Sequence, residues 1–126
     1  MAKILIVDDD ADITLAIELF LKRERHEVQI ASDRDAGMKA VDTGHPDLII
    51  LDVMMEEPDD GIAMAQQLRR QGCRTPILML TSVGKVTGFA YAEDRDLVPV
   101  DAFCEKPIRP EALLGKVNEL LAAPRT

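Results

Sequence analysis

Unbroken runs of hydrophobic residues mark three segments of the chain, at positions 3–7, 48–51 and 77–80. A strand that is covered on both faces needs no alternating polar positions, so continuous runs are typical of a parallel sheet with helices on each side. Two weaker segments, EVQIAS at 27–32 and AFCE at 102–105, predict shorter strands. The pattern therefore predicts five strands.

Between these strands the hydrophobic residues change to helical spacing. They recur every three or four positions in four segments, which begin near Asp12, Asp33, Gly61 and Pro110. Asp33 can cap the second helix, while Gly44 and Gly72 are typical of helix ends. Residues 82–100, with two glycines, a charged run and Pro99, predict only a shortened fourth helix and an irregular loop.

The alternation of strand and helix, repeated five times, predicts one α/β domain. Right-handed crossovers between parallel strands give a doubly wound sheet with helices on both faces. A chain of 126 residues is long enough to bury the core of one such domain. We expect residues 1–122 to form this domain and residues 123–126 to be a short tail.

Composition and charge exclude several functions. The formal net charge of −8 argues against direct binding to nucleic acid or to an anionic membrane, which needs a basic surface. Cys73 and Cys104 are far apart and lack metal-ligand spacing, which favours free thiols in a reducing compartment. The N-terminus is too short and too acidic for a signal peptide, so we expect a cytoplasmic protein.

Candidate chemistry follows the predicted strands. Asp8 and Asp9 come after the first strand, Asp52 ends the third, Thr81 ends the fourth and Lys106 ends the fifth. Ligands of such sheets bind beyond the carboxyl ends of the strands. Three crowded carboxylates repel one another unless a cation joins them, and Mg²⁺ prefers oxygen ligands of this kind.

Each of these residues also has a plainer structural interpretation. Asp, Thr and Lys are common at strand ends as turn formers or helix caps, and we expect Asp10 or Asp12 to cap the first helix. The two histidines, His26 and His45, fall near the starts of strands, at the edge of the sheet opposite the acidic residues. They are therefore interpreted as surface residues rather than as ligands or bases.

Four motifs together resemble the receiver domain of two-component response regulators, similar to single-domain chemotaxis regulators. They are ILIVDDD, DLIILDVMM, PILMLTS and DAFCEKPI, and the resemblance covers essentially the whole chain. It implies a flavodoxin-like sheet of strand order 2-1-3-4-5. It also implies a signalling phosphoacceptor, which catalyses only its own phosphorylation and dephosphorylation, rather than an enzyme acting on other substrates.

The resemblance assigns roles to the acidic residues. Asp52 accepts a phosphoryl group from the phosphohistidine of a histidine kinase or phosphotransfer protein. Asp9, Asp52 and the main-chain carbonyl of Met54 ligate Mg²⁺ or Mn²⁺, and Asp8 acts mostly through a metal-bound water. The expected cofactor is therefore a divalent cation.

The resemblance also implies a switch. Lys106 pairs with the aspartyl phosphate, Thr81 moves to donate its hydroxyl, and Phe103 turns inward to change a partner-binding surface. A cis bond between Lys106 and Pro107 is implied as well. From the residues alone, the favoured interpretation of Phe103 is a core side chain on a short strand.

Departures from the family pattern concern the loop after Asp52 and the segment before the fifth strand. Glu56 occupies a position where the family often has proline, and the spacing from Thr81 to Lys106 is longer than usual. Met54 and Val83, each two residues after a site residue, are apolar where the family's hydrolytic water passes. We therefore predict slow loss of the phosphoryl group.

Two functions from different classes remain. The first is a phosphorylation-dependent receiver that signals to a downstream protein as a monomer or weak dimer. The alternative is a receiver-like scaffold that does not depend on phosphate. Asp9, Asp52, Thr81 and Lys106 favour the first, while the irregular segment before Pro99 leaves room for the second.

Overall fold

The computed structural model describes residues 2–53, 60–82, 100–106 and 108–122, with the side chains of Ser82 and Lys106 left out. Five strands occur in these parts of the chain: β1 (Lys3–Val7), β2 (Glu27–Ala31), β3 (Leu48–Asp52), β4 (Ile77–Ser82) and β5 (Ala102–Lys106). Four helices accompany them: α1 (Ala11–Arg23), α2 (Arg34–Gly44), α3 (Asp60–Arg70) and α4 (Pro110–Ala122). The predicted helix between β4 and β5, residues 54–59 and Pro107 lie outside this description.

The sheet confirms the predicted fold class. Its order is β2-β1-β3-β4-β5, and all four pairings are parallel. Because the strands are parallel, their carboxyl ends share one edge. The register places Val7 beside Leu51 and Asp52 beside Leu80, so β1, β3 and β4 end close together.

The core is divided into two clusters, one on each face of the sheet. Leu5, Ile49 and Met79 belong to the cluster that includes buried residues of α2 and α3. Ile6 and Ile50, one position along their strands, belong to the cluster that includes residues of α1 and α4. Successive strand residues point to opposite faces, so two covered faces explain the continuous hydrophobic runs.

Side-chain caps define the starts of the first two helices. Asp10 caps α1, because its carboxylate accepts from the backbone N–H groups of Asp12 at 3.0 Å and Ile13 at 3.4 Å. The helix therefore begins at Ala11. Asp33 caps α2 as predicted, accepting from the N–H of Ala36 at 2.7 Å.

The C-terminal ends of α2 and α3 use left-handed backbone. His45 follows α2 with a φ of 46°, and its N–H donates to the carbonyl of Val41. Gly72 follows α3 with a φ of 87°, a conformation that glycine adopts without steric cost. The helix itself ends at Arg70, two residues before the Gly72 that the sequence indicated as a helix end.

Two further observations concern location. Within the described parts of the chain, each helix is too short or too polar to cross a lipid bilayer. Cys73 is half-buried and Cys104 is buried, and both are free thiols as predicted. The cytoplasmic location itself stays a prediction.

Candidate functional site

Three carboxylates meet at the carboxyl edge of the two central strands. Asp8 directly follows β1, and Asp52 is the last residue of the neighbouring β3. One carboxylate oxygen from each of Asp8, Asp9 and Asp52 lies within 4.8 Å of the other two. The structure therefore brings together the three acidic residues that the sequence placed at the ends of two different strands.

This carboxylate cluster is partly shielded from water. Asp8 is 1% exposed and Asp52 is 6% exposed, while Asp9 is exposed. Two like charges near 4 Å repel by about 4 kcal/mol at an effective dielectric constant of about 20. A cation bound among the three oxygens would reverse this repulsion, and hard divalent ions prefer such a donor set. The residues present therefore fit a metal site.

Local hydrogen bonds hold Asp8 at the end of β1. Its N–H donates to the carbonyl of Ala31 on β2 at 3.1 Å, and its Oδ1 accepts from the N–H of Asp10 at 2.9 Å. The chain thus turns directly into α1. The three consecutive aspartates divide their roles: Asp8 is buried in the cluster, Asp9 is exposed beside it, and Asp10 caps the helix.

The end of β3 is held from two directions. The N–H of Val53 donates to the carbonyl of Leu80 on β4 at 3.1 Å. The carbonyl of Val53 accepts from the N–H of Gly61, in the first turn of α3, at 2.9 Å. Both backbone polar groups of Val53 are therefore hydrogen-bonded to neighbouring elements, and these bonds fix the backbone directly after Asp52.

The other candidate residues lie on β4 and β5. Thr81 is 8% exposed and follows Leu80, the residue paired with Asp52. Phe103 is half-buried and packs against the cluster under α2 and α3, beside Met79 in the register. Since Thr81 and Met79 are two residues apart, Thr81 and Phe103 share one face of the sheet.

The remaining predicted site residues are only partly described. Lys106 is the last residue of β5, and its backbone is paired with Ser82 at the carboxyl edge. Met54 and Val83 lie outside the described residues, as does Glu56 of the altered loop. Their assigned roles stay predictions.

Sequence reasoning missed the contribution of Gly61. It was noted only as the start of a helix, whereas it packs against the backbone of Asp52 and Val53. Glycine has poor helix propensity, so a glycine in the first turn of a helix indicates a position where close packing leaves no room for a side chain. This was the signal that the sequence offered.

Comparison with known proteins places this geometry in a family. The sequence-family model of the response regulator receiver domain matches residues 4–118 of the chain. The chain is 37% identical over 123 residues to the alkaline phosphatase synthesis transcriptional regulatory protein PhoP of Bacillus subtilis, covering 94% of this chain and 48% of that protein. It is 35% identical over 123 residues to the transcriptional regulatory protein ResD of the same organism, with the same coverage.

Solved structures agree with these matches. The receiver domain of NtrX from Brucella abortus has a TM-score of 0.86 at 28% identity, covering 96% of this chain and 99% of that one. The Vibrio cholerae chemotaxis protein CheY4 has a TM-score of 0.83 at 30% identity, with coverage of 95% and 98%. The chain spans about half the length of the curated relatives it matches. From its sheet, its carboxylate cluster and these matches, the chain belongs to the response regulator receiver domain family of two-component signalling.

Proposed function

We propose that this receiver domain accepts a phosphoryl group on Asp52 from the phosphohistidine of a histidine kinase or phosphotransfer protein. The observation that carries the proposal is the carboxylate cluster, in which Asp52 at the end of β3 meets Asp8 and Asp9. In the family to which the chain belongs, this strand end carries the phosphoacceptor.

The proposed transfer is a displacement at phosphorus. A carboxylate oxygen of Asp52 forms the new P–O bond while the P–N bond of the phosphohistidine breaks. The electron pair of that bond stays on the imidazole nitrogen, which takes a proton from solvent. A carboxylate nucleophile carries no proton that a general base would have to remove.

Asp8, Asp9 and Asp52, with the main-chain carbonyl of Met54, would hold Mg²⁺ or Mn²⁺. When bound, the ion neutralises the charge of the carboxylates and of the incoming phosphoryl group. Asp52 would contribute a ligand that is already buried, and Asp8, which would act mostly through a metal-bound water, is buried beside it, so little solvent has to be displaced at the moment of binding. Asp9, which is exposed, leaves one side of the site open.

Phosphorylation then changes a surface that a downstream protein recognises. Lys106 pairs with the phosphoryl group, Thr81 donates its hydroxyl, and Phe103 rearranges on the same face of the sheet. The half-buried state of Phe103 supports this role, because such a side chain can move without opening a cavity in the core. The partner is a protein, since the net charge of −8 disfavours direct binding of nucleic acid by this domain.

Intact-mass measurement tests the phosphoacceptor directly. The protein is incubated with Mg²⁺ and acetyl phosphate or phosphoramidate, which supply a phosphoryl group without a kinase. We expect the mass of one phosphoryl group to be added, and to be absent in Asp52→Asn or in the presence of a chelator. The matched control is Asp10→Asn, which removes a nearby charge but keeps a side chain that caps helices equally well; it should still gain the group.

The opposite result has a definite meaning. A folded wild-type protein that gains no mass would support the phosphate-independent scaffold. A gain that persists in Asp52→Asn would assign the phosphoryl group to another residue.

A further inference from the structure

Gly61 lies against the backbone that carries the proposed phosphoacceptor. A Cβ built on Gly61 would overlap the carbonyl oxygen of Asp52, and it would lie 2.8 Å from the Asp52 carbonyl carbon and 2.9 Å from the Cα of Val53. The atoms that it meets are all backbone. A flexible side chain could rotate away from such a contact, whereas strand backbone has to shift.

The backbone at this point has little freedom to shift. Val53 is tied to Leu80 of β4 through its N–H and to Gly61 through its carbonyl, at 3.1 and 2.9 Å. Asp52 itself is paired with β4. Any side chain at position 61 would therefore either push α3 away, breaking its bond to Val53, or push the end of β3 out of register.

We propose that Gly61 is a positioning residue of the acidic site. Because Gly61 has no side chain, the first turn of α3 packs directly against the end of β3. This packing sets where the Asp52 carboxylate lies relative to Asp8 and Asp9. The inference rests on the proposed function for its catalytic consequence. Its geometric consequence, the spacing of the three carboxylates, applies to metal binding alone.

The effect on chemistry follows from the small tolerance of the site. The three carboxylate oxygens lie within 4.8 Å of one another, and one cation can bind all three only while they stay close together. Changes in the groups that orient metal ligands lower metal affinity by about 10- to 100-fold. A misplacement of about 1 Å in a reacting group can slow a reaction by about 100-fold.

The experiment compares Gly61→Ala with two control variants. Mg²⁺ affinity is measured by titration, phosphoryl uptake from acetyl phosphate by intact mass, and stability by thermal unfolding. Gly115→Ala makes the same substitution at another helical glycine, where an added Cβ meets no atom within 4 Å. Leu68→Ala removes a buried side chain from the far end of α3, and so destabilises the protein without touching the backbone of Asp52.

We expect Gly61→Ala to bind Mg²⁺ about 10- to 100-fold more weakly and to take up the phosphoryl group roughly 100-fold more slowly. Leu68→Ala should lower the unfolding temperature while keeping Mg²⁺ affinity within about twofold of wild type. Gly115→Ala should keep the Mg²⁺ affinity and the rate of phosphoryl uptake of the wild type. Equal losses of affinity in Gly61→Ala and Leu68→Ala would overturn the inference, because a loss of stability alone would then explain both.

The outcomes separate this inference from the proposed function. Wild-type protein that binds Mg²⁺ without gaining a phosphoryl group contradicts the proposed function, while the affinities of the variants still decide the role of Gly61. Wild-type protein that binds no Mg²⁺ overturns the inference.

A measurement on unmodified protein covers the case in which Gly61→Ala does not fold. We expect the amide hydrogens of Gly61 and Val53 to exchange more slowly in saturating Mg²⁺, because ion binding and the packing of α3 against the end of β3 stabilise the same arrangement. Unchanged exchange at both amides would overturn the inference.

Discussion

At the scale of single residues, the acidic site depends on positions where side-chain type alone does not reveal the role. Asp8, Asp9 and Asp10 are chemically identical neighbours, yet one is buried in the cluster, one is exposed and one caps α1. Their roles follow from the exit of β1 from the sheet and the turn into α1. Asp52 differs from the exposed carboxylates of the described residues because it is itself buried, at the end of a strand that is buried along its whole length.

The lifetime of the phosphorylated state is predicted to depend on Met54 and Val83. Because both are apolar, they should not orient an attacking water, and Met54→Asn or Val83→Glu should speed the loss of the phosphoryl group. The decay is followed by intact mass after removal of the phosphodonor. Leu15→Asn, at a side chain that is 56% exposed on α1, serves as the control and should leave the decay unchanged. Unchanged decay in both site variants would refute the prediction.

His26 is predicted to make stability depend on pH. Its Nδ1 accepts a hydrogen bond from the N–H of Ala2 at 3.1 Å, which only an unprotonated nitrogen can do. Burial and the positive charge of the amino terminus lower the pKa of His26 below 6.5, and Glu24 opposes them.

The direction of the effect follows from this lowered pKa. Above pH 6.5 the imidazole is neutral in both folded and unfolded protein, so the contribution of His26 to stability is complete. As the pH falls below 6.5, the unfolded chain takes up the proton first and stability declines until the folded-state pKa is passed. Urea unfolding between pH 7 and pH 5 should show a smaller decline in His26→Gln than in wild type. An identical decline in the two proteins would show that other groups control it.

At the scale of helices and strands, Arg69 joins α3 to the opposite edge of the sheet from the acidic site. Its guanidinium donates to the carbonyls of Cys73 at 3.0 Å and Thr75 at 2.8 Å, and to the carboxylate of Asp101 at 2.9 Å. The same Asp101 oxygen accepts from the N–H of Ile77 at 2.8 Å. One side chain thus fixes the loop before β4 and the residue before β5.

Replacing Arg69 should therefore loosen two strands together. We expect Arg69→Ala to reduce the free energy of unfolding by about 2–3 kcal/mol, because charge-assisted bonds are lost and partly buried carbonyl acceptors lose their donor. Arg69→Lys should recover only part of this loss, since an ammonium cannot reproduce the fork of the guanidinium. The neighbouring Arg70 is exposed, and Arg70→Ala should change stability by less than about 0.5 kcal/mol. Urea unfolding measures all three, and equal effects at both arginines would contradict the expected role of Arg69.

At the scale of the whole molecule, the proposed metal binding at the carboxylate cluster would be coupled to folding. An ion that binds only folded protein raises the free energy of unfolding by about 2.7 kcal/mol at 100 times its dissociation constant. We expect Mg²⁺ to stabilise the wild-type protein against urea. In Asp8→Asn this increment should fall, while stability without the ion should rise by on the order of 1 kcal/mol, because one repelling charge is gone.

This prediction is specific because Asp8→Asn changes two quantities in opposite directions. The stabilisation by Mg²⁺ falls, whereas the stability without the ion rises. Asn keeps an Oδ1 that can accept from the N–H of Asp10, so the turn after β1 is preserved. Asp42→Asn removes one charge from the exposed surface of α2 and should change neither quantity by more than about 0.5 kcal/mol. An Mg²⁺ increment in Asp8→Asn equal to that of wild type would exclude Asp8 from the ion site.

The sequence by itself determined the strands, the helices of the described parts and the acidic character of the strand ends. Continuous runs such as residues 48–51 require burial on both faces, and helical spacing after Asp33 requires one buried side, so local pattern was sufficient. Boundaries differed by one or two residues, as at α1, where the choice of Asp10 as cap depends on hydrogen bonds that composition does not reveal. The motifs also identified the family, since four of them occur together in order.

Only the tertiary structure decided which residues act together. Asp8 and Asp52 become neighbours because β1 and β3 pair across a crossover, and the spacing of their oxygens depends on register rather than on either local segment. The packing of Gly61 on the Asp52 carbonyl and the bonds from Arg69 to Asp101 likewise join parts of the chain that are remote in sequence. Local patterns reflect which side of an element is buried, whereas distances between elements depend on the whole packed sheet.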